Sequence, residues 1–209
     1  MEVEQDFPPD KGGFKGVAEK SKPNPSCTSP CQGRKILQRS NFQLLYQFKK
    51  KNISLIREEL ILPNGYPATA EIVVHPGAVV IVPVLNKTQV LLLRQYRLSI
   101  KQYLYEFPAG TINPGEQPLP CAKRELREET GYAGKRFRRL GKIYPVPGYS
   151  TELIHIYRAD GLKPQPAAKD PDEVIDVRTW TLSEIQNLFR KGQIVDAKTI
   201  CALAFCGML

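Results

Sequence analysis

The stretch GTINPGEQPLPCAKRELREETG, residues 110–131, carries most of the information about fold and chemistry. Glu125, Glu128 and Glu129 are spaced at i, i+3 and i+4, which would place three carboxylates on one face of a helix. Like charges at this spacing destabilise a helix by about 0.2–0.5 kcal/mol per pair. The spacing therefore indicates a positive group among them, and Mg²⁺, which binds carboxylates together with substrate phosphates, is the candidate.

The residues around the glutamates predict where this helix begins and ends. Pro118 and Pro120 fall where the first turn of a helix tolerates a missing N–H. Gly131 is suited to the C-terminal cap, so the helix should start near residue 118 and run for roughly three turns. Gly110 and Gly115 are expected to allow a tight turn before it.

The other side chains of the helix support a buried acidic site. Leu126 and Ala122 lie four residues apart and should face the core. Arg124 is next to Glu125 and four residues before Glu128, so its guanidinium can orient both carboxylates. A Glu/Arg run usually marks a solvated helix face, but the complete spacing with both flanking glycines favours a metal site.

The spacing resembles the signature of the Nudix hydrolase family. Its fixed positions are Gly110, Glu116, Arg124, Glu125, Leu126, Glu128, Glu129 and Gly131. The one departure is Tyr132, where the family usually has a bulky aliphatic residue at a packing position. The resemblance implies that Glu125 and Glu129 are the main metal ligands, that Glu128 assists them, and that Glu116 is tied to Arg124.

The chain divides into three predicted parts. Residues 1–33 are rich in Pro, Gly, Ser and Lys, which is typical of a flexible arm. Residues 34–76 contain three predicted strands, with a hairpin signal at Asn64-Gly65, and should form a small antiparallel β subdomain. Residues 77–209 form the predicted Nudix hydrolase domain.

The order of elements in this last part predicts its architecture. Strands are expected over residues 78–85, 90–94, 136–143, 153–157 and 174–180, with helices after residue 118, over 182–190 and over 197–205. Strands interrupted by helices favour a mixed sheet with helices on both faces. The predicted fold is α/β (α+β), a Nudix-type α/β/α sandwich with a mixed sheet, preceded by the small N-terminal antiparallel β-sheet.

Composition limits the setting of the protein. Five irregularly spaced cysteines do not form a disulfide framework and predict a reducing, cytoplasmic location. Cys27 and Cys31 lie four apart, but a metal site there would need two more soft ligands, and the chain has only two histidines, His75 and His155. No apolar run approaches the roughly 20 residues of a membrane helix, and no secretory signal is visible.

The formal net charge of +9 leaves two interpretations open. Basic runs at residues 49–51 and 135–139 could bind nucleic acid, although solvated strand faces are the commoner explanation. A basic field also attracts a small anionic substrate such as a diphosphate. Charge alone does not choose between the two, and the expected partner is a small anion rather than nucleic acid.

Residues outside the signature resemble the ADP-ribose pyrophosphatase subgroup. They are Pro147-Gly148 downstream of the helix and the segments 94–97 and 105–110 upstream of it. The resemblance implies that Arg97 grips the diphosphate, that the Ala109 carbonyl is a further metal ligand, and that Glu106 and Glu152 lie near the metals or the ribose. Glu173 is the best positional match to the catalytic base, with Asp172 adjacent to it.

The resulting hypothesis is Mg²⁺-dependent hydrolysis of ADP-ribose or a related nucleoside diphosphate sugar, with Mn²⁺ as a possible substitute. The resemblance also implies a homodimer, in which Tyr46 and Phe48 of the N-terminal sheet are candidate stacking residues. Alternatives are a Nudix hydrolase acting on an ADP-hexose, a dinucleotide, a nucleoside triphosphate or capped RNA, and a nucleotide-binding module without catalysis.

Overall fold

The computed structural model describes residues 42–48, 52–168 and 172–209. Three predictions fall outside them: the flexible arm over residues 1–33, the soft-ligand pair Cys27 and Cys31, and the basic run at residues 49–51. No helix in the described part of the chain is long and apolar enough to cross a membrane.

The described residues form ten strands and three helices. The strands are β1 Phe42–Gln47, β2 Ser54–Ile61, β3 Pro67–Val74, β4 Ala78–Val84, β5 Gln89–Arg97, β6 Gln102–Glu106, β7 Ala109–Thr111, β8 Tyr132–Ile143, β9 Ile154–Pro164 and β10 Ile175–Thr181. The helices are α1 Pro118–Thr130, α2 Leu182–Arg190 and α3 Ala197–Phe205. Of these, only the short strands β6 and β7 were not predicted from the sequence.

The first three strands form a separate antiparallel sheet in the order β1-β2-β3. Its β2–β3 hairpin turns at Gly65, whose φ of 83° lies in the left-handed region that favours glycine. The predicted hairpin is therefore confirmed. The Val73 N–H donates to the Tyr149 carbonyl at 2.8 Å, and the Thr151 N–H donates to the Val73 carbonyl at 3.0 Å, so the sheet is joined to the loop before β9. The predicted subdomain boundary at residue 76 stays a prediction.

The remaining strands form one mixed sheet. Its order is β10-β5-β4-β9-β8, with β6 on β5 and β7 on β4, and only β4 and β9 run parallel. Every residue of β4 is buried, as its continuous run of apolar residues predicts for a central strand. Helix α1 covers one face of this sheet, and α2 and α3 cover the other.

The two faces of the sheet define two apolar layers. Alternate residues of β4 and β9 contribute to each, because successive strand side chains point in opposite directions. Val80 and Ile156 pack with the α2–α3 layer, whereas Val79 and Tyr157 pack with α1. The predicted α/β/α sandwich with a mixed sheet and a small preceding sheet is confirmed.

Candidate active site

Helix α1 follows the predicted bounds and orients the acidic cluster. It begins with proline in its first turn and ends at Gly131, whose φ of 72° forms a left-handed cap. Ala122 and Leu126 are fully buried against the sheet. The same side of the helix carries Glu125 and Glu129, which are 9% and 3% exposed. Two carboxylates therefore lie below the protein surface, between α1 and the short strand β7.

Strand β7 contacts both carboxylates through its backbone. The Ala109 N–H donates to Glu129 Oε2 at 2.9 Å. A Cβ on Gly110 would lie 2.0 Å from the Glu125 Cδ and Oε1 atoms. The prediction that Gly110 permits a tight turn is therefore wrong; this residue is in a strand, and only glycine lets the Glu125 carboxylate approach. Gly115, with a φ of 77°, does adopt a left-handed turn conformation.

Arg124 links three of the glutamates. Its Nη1 donates to Glu125 Oε1 at 2.7 Å and to Glu128 Oε2 at 3.0 Å. Its Nε and Nη2 donate to the two oxygens of Glu116 at 3.0 and 2.8 Å. The Arg124 guanidinium thus orients the carboxylates of Glu116, Glu125 and Glu128. None of these four hydrogen bonds goes to Glu129.

The electrostatics of the cluster follow from burial. Burial raises the pKa of Glu129 well above its ordinary value, and the charge of Glu125 raises it further. Burial also raises the pKa of Glu125, which Arg124 opposes. By contrast, the hydrogen bonds from Arg124 hold the pKa of Glu116 below its usual range. The Glu125–Glu129 pair is therefore short of positive charge.

The donor set suits a hard divalent cation, which prefers carboxylate and carbonyl oxygens. Glu125 and Glu129 provide buried oxygens, and the missing side chain at Gly110 makes room for the Glu125 carboxylate. Among the residues described, no three His, Cys, Asp or Glu side chains already converge as a metal-binding set. The present rotamers explain this, because Glu125 and Glu128 are bonded to Arg124 instead.

Arg97 belongs to a second charged network next to the acidic pair. Its Nε donates to Glu106 Oε1 at 2.7 Å, and Nη2 bonds to Oε2 of the same residue. Lys198 of α3 also bonds to Glu106 and, at 2.7 Å, to Asp196. Glu106 has no exposed surface; burial would raise its pKa, but Arg97 and Lys198 hold it below the ordinary value. Glu106 therefore fixes the Arg97 side chain.

Glu173 lies within electrostatic range of the acidic pair, and Glu152 lies beside the small sheet. The charge of Glu173 contributes to raising the pKa values of both Glu125 and Glu129. Glu173 itself is exposed, just before β10. Glu152 Oε1 lies 3.9 Å from His75 Nε2. Their roles toward a ligand stay predictions.

Tyr46 and Phe48 lie on the small sheet and are 56% and 45% exposed. Their rings meet edge to face with centroids 5.1 Å apart.

His155 is buried in β9, which agrees with a sheet-face position rather than a catalytic one. Burial, together with Arg139 and Lys142, lowers its pKa.

Sequence reasoning missed Lys198 and Asp196 of the Arg97 network. Asp196 is the N-cap of α3 and accepts from the Thr199 N–H at 2.9 Å. The available signal was a lysine near the start of an otherwise apolar helix, directly after a capping aspartate. That signal predicts a helix start, and only the packing of α3 against the sheet brings Lys198 to Glu106.

Comparison with known proteins places this chain in a family. A model described as the NUDIX domain matches residues 74–203, more than half of the chain. The chain therefore belongs to the Nudix family, as the signature predicted.

The match to this chain covers most of the length of several relatives. An ADP-ribose pyrophosphatase of Bacillus subtilis (strain 168) is 35% identical over 160 residues, 76% of this chain and 86% of that protein. A methanol dehydrogenase activator of Bacillus methanolicus is 36% identical with the same coverage. The crystal structure of an ADP compounds hydrolase superposes with a TM-score of 0.69 at 26% identity, covering 83% of this chain and 95% of that one. The predicted resemblance to the ADP-ribose pyrophosphatase subgroup is confirmed.

Proposed function

We propose that this protein is a Nudix pyrophosphohydrolase that cleaves the diphosphate of ADP-ribose or a related nucleoside diphosphate sugar. The products are a nucleoside monophosphate and a sugar phosphate. The observation that carries the proposal is the buried Glu125–Glu129 pair against Ala109 and Gly110, in a chain whose relatives include ADP-ribose pyrophosphatases.

Glu125, Glu129 and the Ala109 carbonyl would hold the divalent cation, and Glu128 would assist. Mg²⁺ is the expected metal because every donor is a hard oxygen, and Mn²⁺ is a possible substitute. When bound, the cation neutralises charge on the phosphates and lowers the pKa of a water. The supporting observation is the deficit of positive charge at two buried carboxylates.

The bond change is a hydrolysis. The water oxygen forms a bond to one phosphorus, the bond from that phosphorus to the bridging oxygen breaks, and the departing phosphate keeps the electron pair. Glu173, which acts electrostatically on both buried glutamates, accepts the proton from the water. Arg124 acts by keeping Glu125 and Glu128 in orientation.

Arg97 is the proposed diphosphate ligand. Its planar guanidinium can bind a phosphate with two parallel hydrogen bonds, and Glu106 holds it from the opposite, buried side. We therefore propose that Glu106 takes part in substrate binding indirectly, by holding Arg97. Glu152, beside the loop that joins the two sheets, is the proposed contact to the ribose.

Turnover of a substrate panel tests this proposal. Release of AMP from ADP-ribose should require Mg²⁺ and should exceed the hydrolysis of ATP and of capped RNA at equal concentration. Water labelled with ¹⁸O should place the label in one of the two products. A clear preference for triphosphates, or metal-independent hydrolysis, would contradict the proposal.

We further propose a cytoplasmic homodimer, with the small sheet at the interface. Five of its large apolar side chains are exposed, namely Leu44, Tyr46, Phe48, Ile61 and Tyr66. Burying them against a second copy would stabilise the dimer by about 25 cal/mol per Å² of apolar surface. Sedimentation should give twice the mass of the chain, and Tyr46→Ser with Phe48→Ser should weaken both association and substrate affinity. A monomer with full activity would refute this part.

A further inference from the structure

The basic run at residues 135–139 lies on β8, the strand at one end of the main sheet. Alternation along a strand sends successive side chains to opposite faces. Phe137 packs with the α1 layer, so Arg136 and Arg138 point to the face that carries α2 and α3. The run is therefore split, and two of its arginines lie on the face opposite the catalytic helix.

The neighbouring strand adds a third arginine to the same face. Arg158 and Asp160 on β9 share their orientation with Ile156, which packs in the α2–α3 layer. The register pairs Arg138 with Arg158 and Arg136 with Asp160. These four residues, together with Phe137 between the two β8 arginines, line an open cavity of about 630 Å³, which we call the arginine cavity.

The charges of the arginine cavity do not balance. Arg158 takes up the single carboxylate, donating from Nε and Nη2 to Asp160 Oδ1 at 3.0 and 2.7 Å. Within residues 42–48, 52–168 and 172–209, neither Arg136 nor Arg138 makes a hydrogen bond or salt bridge to a carboxylate, although Asp160 lies across the strand pair from Arg136. Two positive charges are left over, and Arg138 lies directly across from Arg158, an arrangement that destabilises a strand pair.

Solvated arginines on a strand are common, but three features set this group apart. The cations line a concave wall, two of them are not bonded to a carboxylate, and two face each other across the strand pair. Guanidinium groups bind phosphate with two parallel hydrogen bonds. A phosphate monoester carries about −1.5 to −2 charges at neutral pH, which matches the excess, and the cavity lies in the range of about 300–1,000 Å³ typical of ligand sites.

We propose that the arginine cavity binds the phosphate monoester group of a small molecule, outside the catalytic site. Arg136 and Arg138 are the ligands, and Arg158 is held in place by Asp160. The cavity has room for further atoms beside the phosphate. A phosphodiester, with one negative charge, is a poorer match.

Binding is measured with inorganic phosphate, AMP, 3′,5′-cyclic AMP and adenosine in the absence of divalent metal. Backbone amide shifts in NMR separate this cavity from the catalytic site, because the affected residues should lie on β8 and β9. Phosphate and AMP should shift these resonances, cyclic AMP should bind about tenfold more weakly than AMP, and adenosine should cause no shift there. Equal binding of AMP and adenosine at these strands would overturn the proposal.

The strand offers a matched control for charge. Arg136→Glu with Arg138→Glu should weaken AMP binding at β8 and β9 at least about 100-fold, roughly tenfold for each lost guanidinium. Arg139→Glu with Lys142→Glu makes the same change of charge on the opposite face, where both residues act on His155, and should weaken it less than about threefold. Equal loss in the two variants would show a diffuse basic field and refute the cavity.

Two further measurements separate this site from folding and from the hydrolase. Arg138→Glu alone should raise the Tm of the ligand-free protein, because it removes the like-charge pair with Arg158. Hydrolysis of ADP-ribose by the Arg136→Glu, Arg138→Glu variant should stay at the wild-type level. Loss of that turnover with unchanged AMP binding at β8 and β9 would contradict the assignment. A short single-stranded RNA that binds these strands more tightly than AMP would overturn the small-molecule assignment.

Discussion

Two buried carboxylates of this protein, Glu106 and Glu129, have opposite surroundings. Glu106 lies at the end of β6 with no exposed surface and is bonded to Arg97 and Lys198. Glu129 lies on α1, is 3% exposed, and accepts one hydrogen bond from the neutral Ala109 N–H. The pKa of Glu106 is held below its ordinary value, whereas burial and Glu125 raise that of Glu129.

The difference separates a buried carboxylate that is compensated by cations of the chain from one that is not. A buried carboxylate with two cations is compensated within the chain. A buried carboxylate beside a second carboxylate is compensated only when a proton or an external cation arrives. Burial alone does not distinguish the two cases; the neighbouring charges do.

The largest effect should come from Glu129→Gln. Because this change removes a proposed metal ligand while keeping the side-chain shape, turnover of ADP-ribose should fall on the order of 10³-fold, equivalent to roughly 4 kcal/mol of activation free energy. The Tm of the metal-free variant should equal or exceed that of the wild type, because an uncompensated charge is lost. Turnover within threefold of wild type would show that Glu129 is no more important for catalysis than a compensated carboxylate such as Glu106.

Gly110→Ala should be the next largest change. The new Cβ would occupy the position of the Glu125 carboxylate, 2.0 Å from its nearest atoms, so that side chain must move. We expect turnover to fall about 100-fold, as happens when a catalytic group is displaced by about 1 Å. Gly110→Ala combined with Glu125→Gln should be no slower than Glu125→Gln alone, because both act on one side chain. Additive losses would show that glycine serves another purpose.

Glu106→Gln tests the compensated carboxylate. It leaves Arg97 and Lys198 without their shared counter-ion, which should lower the free energy of unfolding by about 2 kcal/mol, less than for a fully buried pair because Arg97 is partly exposed. The matched control is Glu71→Gln, which breaks an exposed ion pair with Arg57 and should cost about 0.5 kcal/mol or less. Urea unfolding measures both. Equal effects would mean that the Arg97 network is a surface pair.

The smallest effect should be on the pH dependence of stability. A carboxyl whose folded pKa is raised binds more protons in the folded state, so stability increases as pH falls through that pKa. The Tm of the metal-free protein should therefore rise by a few degrees between pH 7 and the ordinary glutamate value of 4.5. In the Glu129→Gln variant the Tm should change less over this pH interval. Adding Mg²⁺ to the wild-type protein at pH 7 should raise its Tm, because the cation compensates the same charge that protonation removes. A Tm that falls over this interval equally in both proteins would contradict the interpretation of Glu129.

Much of this fold was predictable because local patterns were strong. The capped amphipathic helix of α1, the apolar run of β4 and the Asn64-Gly65 hairpin each carry a signal within a few residues. The short strands β6 and β7 carry none, because three to five residues next to prolines and glycines do not show a clear alternation. They become strands only by pairing with β5 and β4.

The candidate site was predictable to the same extent. The spacing of the signature predicted that Glu125, Glu129 and Arg124 lie together on α1, and their roles stay predictions, but it gave the wrong reason for Gly110. Glycine is required there by the contact between Gly110 and the Glu125 carboxylate, which lie 15 residues apart in the chain, and a pattern of neighbouring residues cannot predict that contact. The bond from Lys198 to Glu106 spans 92 residues and was missed for the same reason.

By itself, the sequence determined which residues carry charge on α1, the family to which the chain belongs and the order of its elements, since these depend on neighbours along the chain. The tertiary structure decided which charges meet. It bonded Glu106 to two cations and Glu129 to a neutral backbone N–H, and it divided one basic run between the two faces of a sheet. Electrostatic energy depends on distance in space and on burial, and both are set by packing between distant segments.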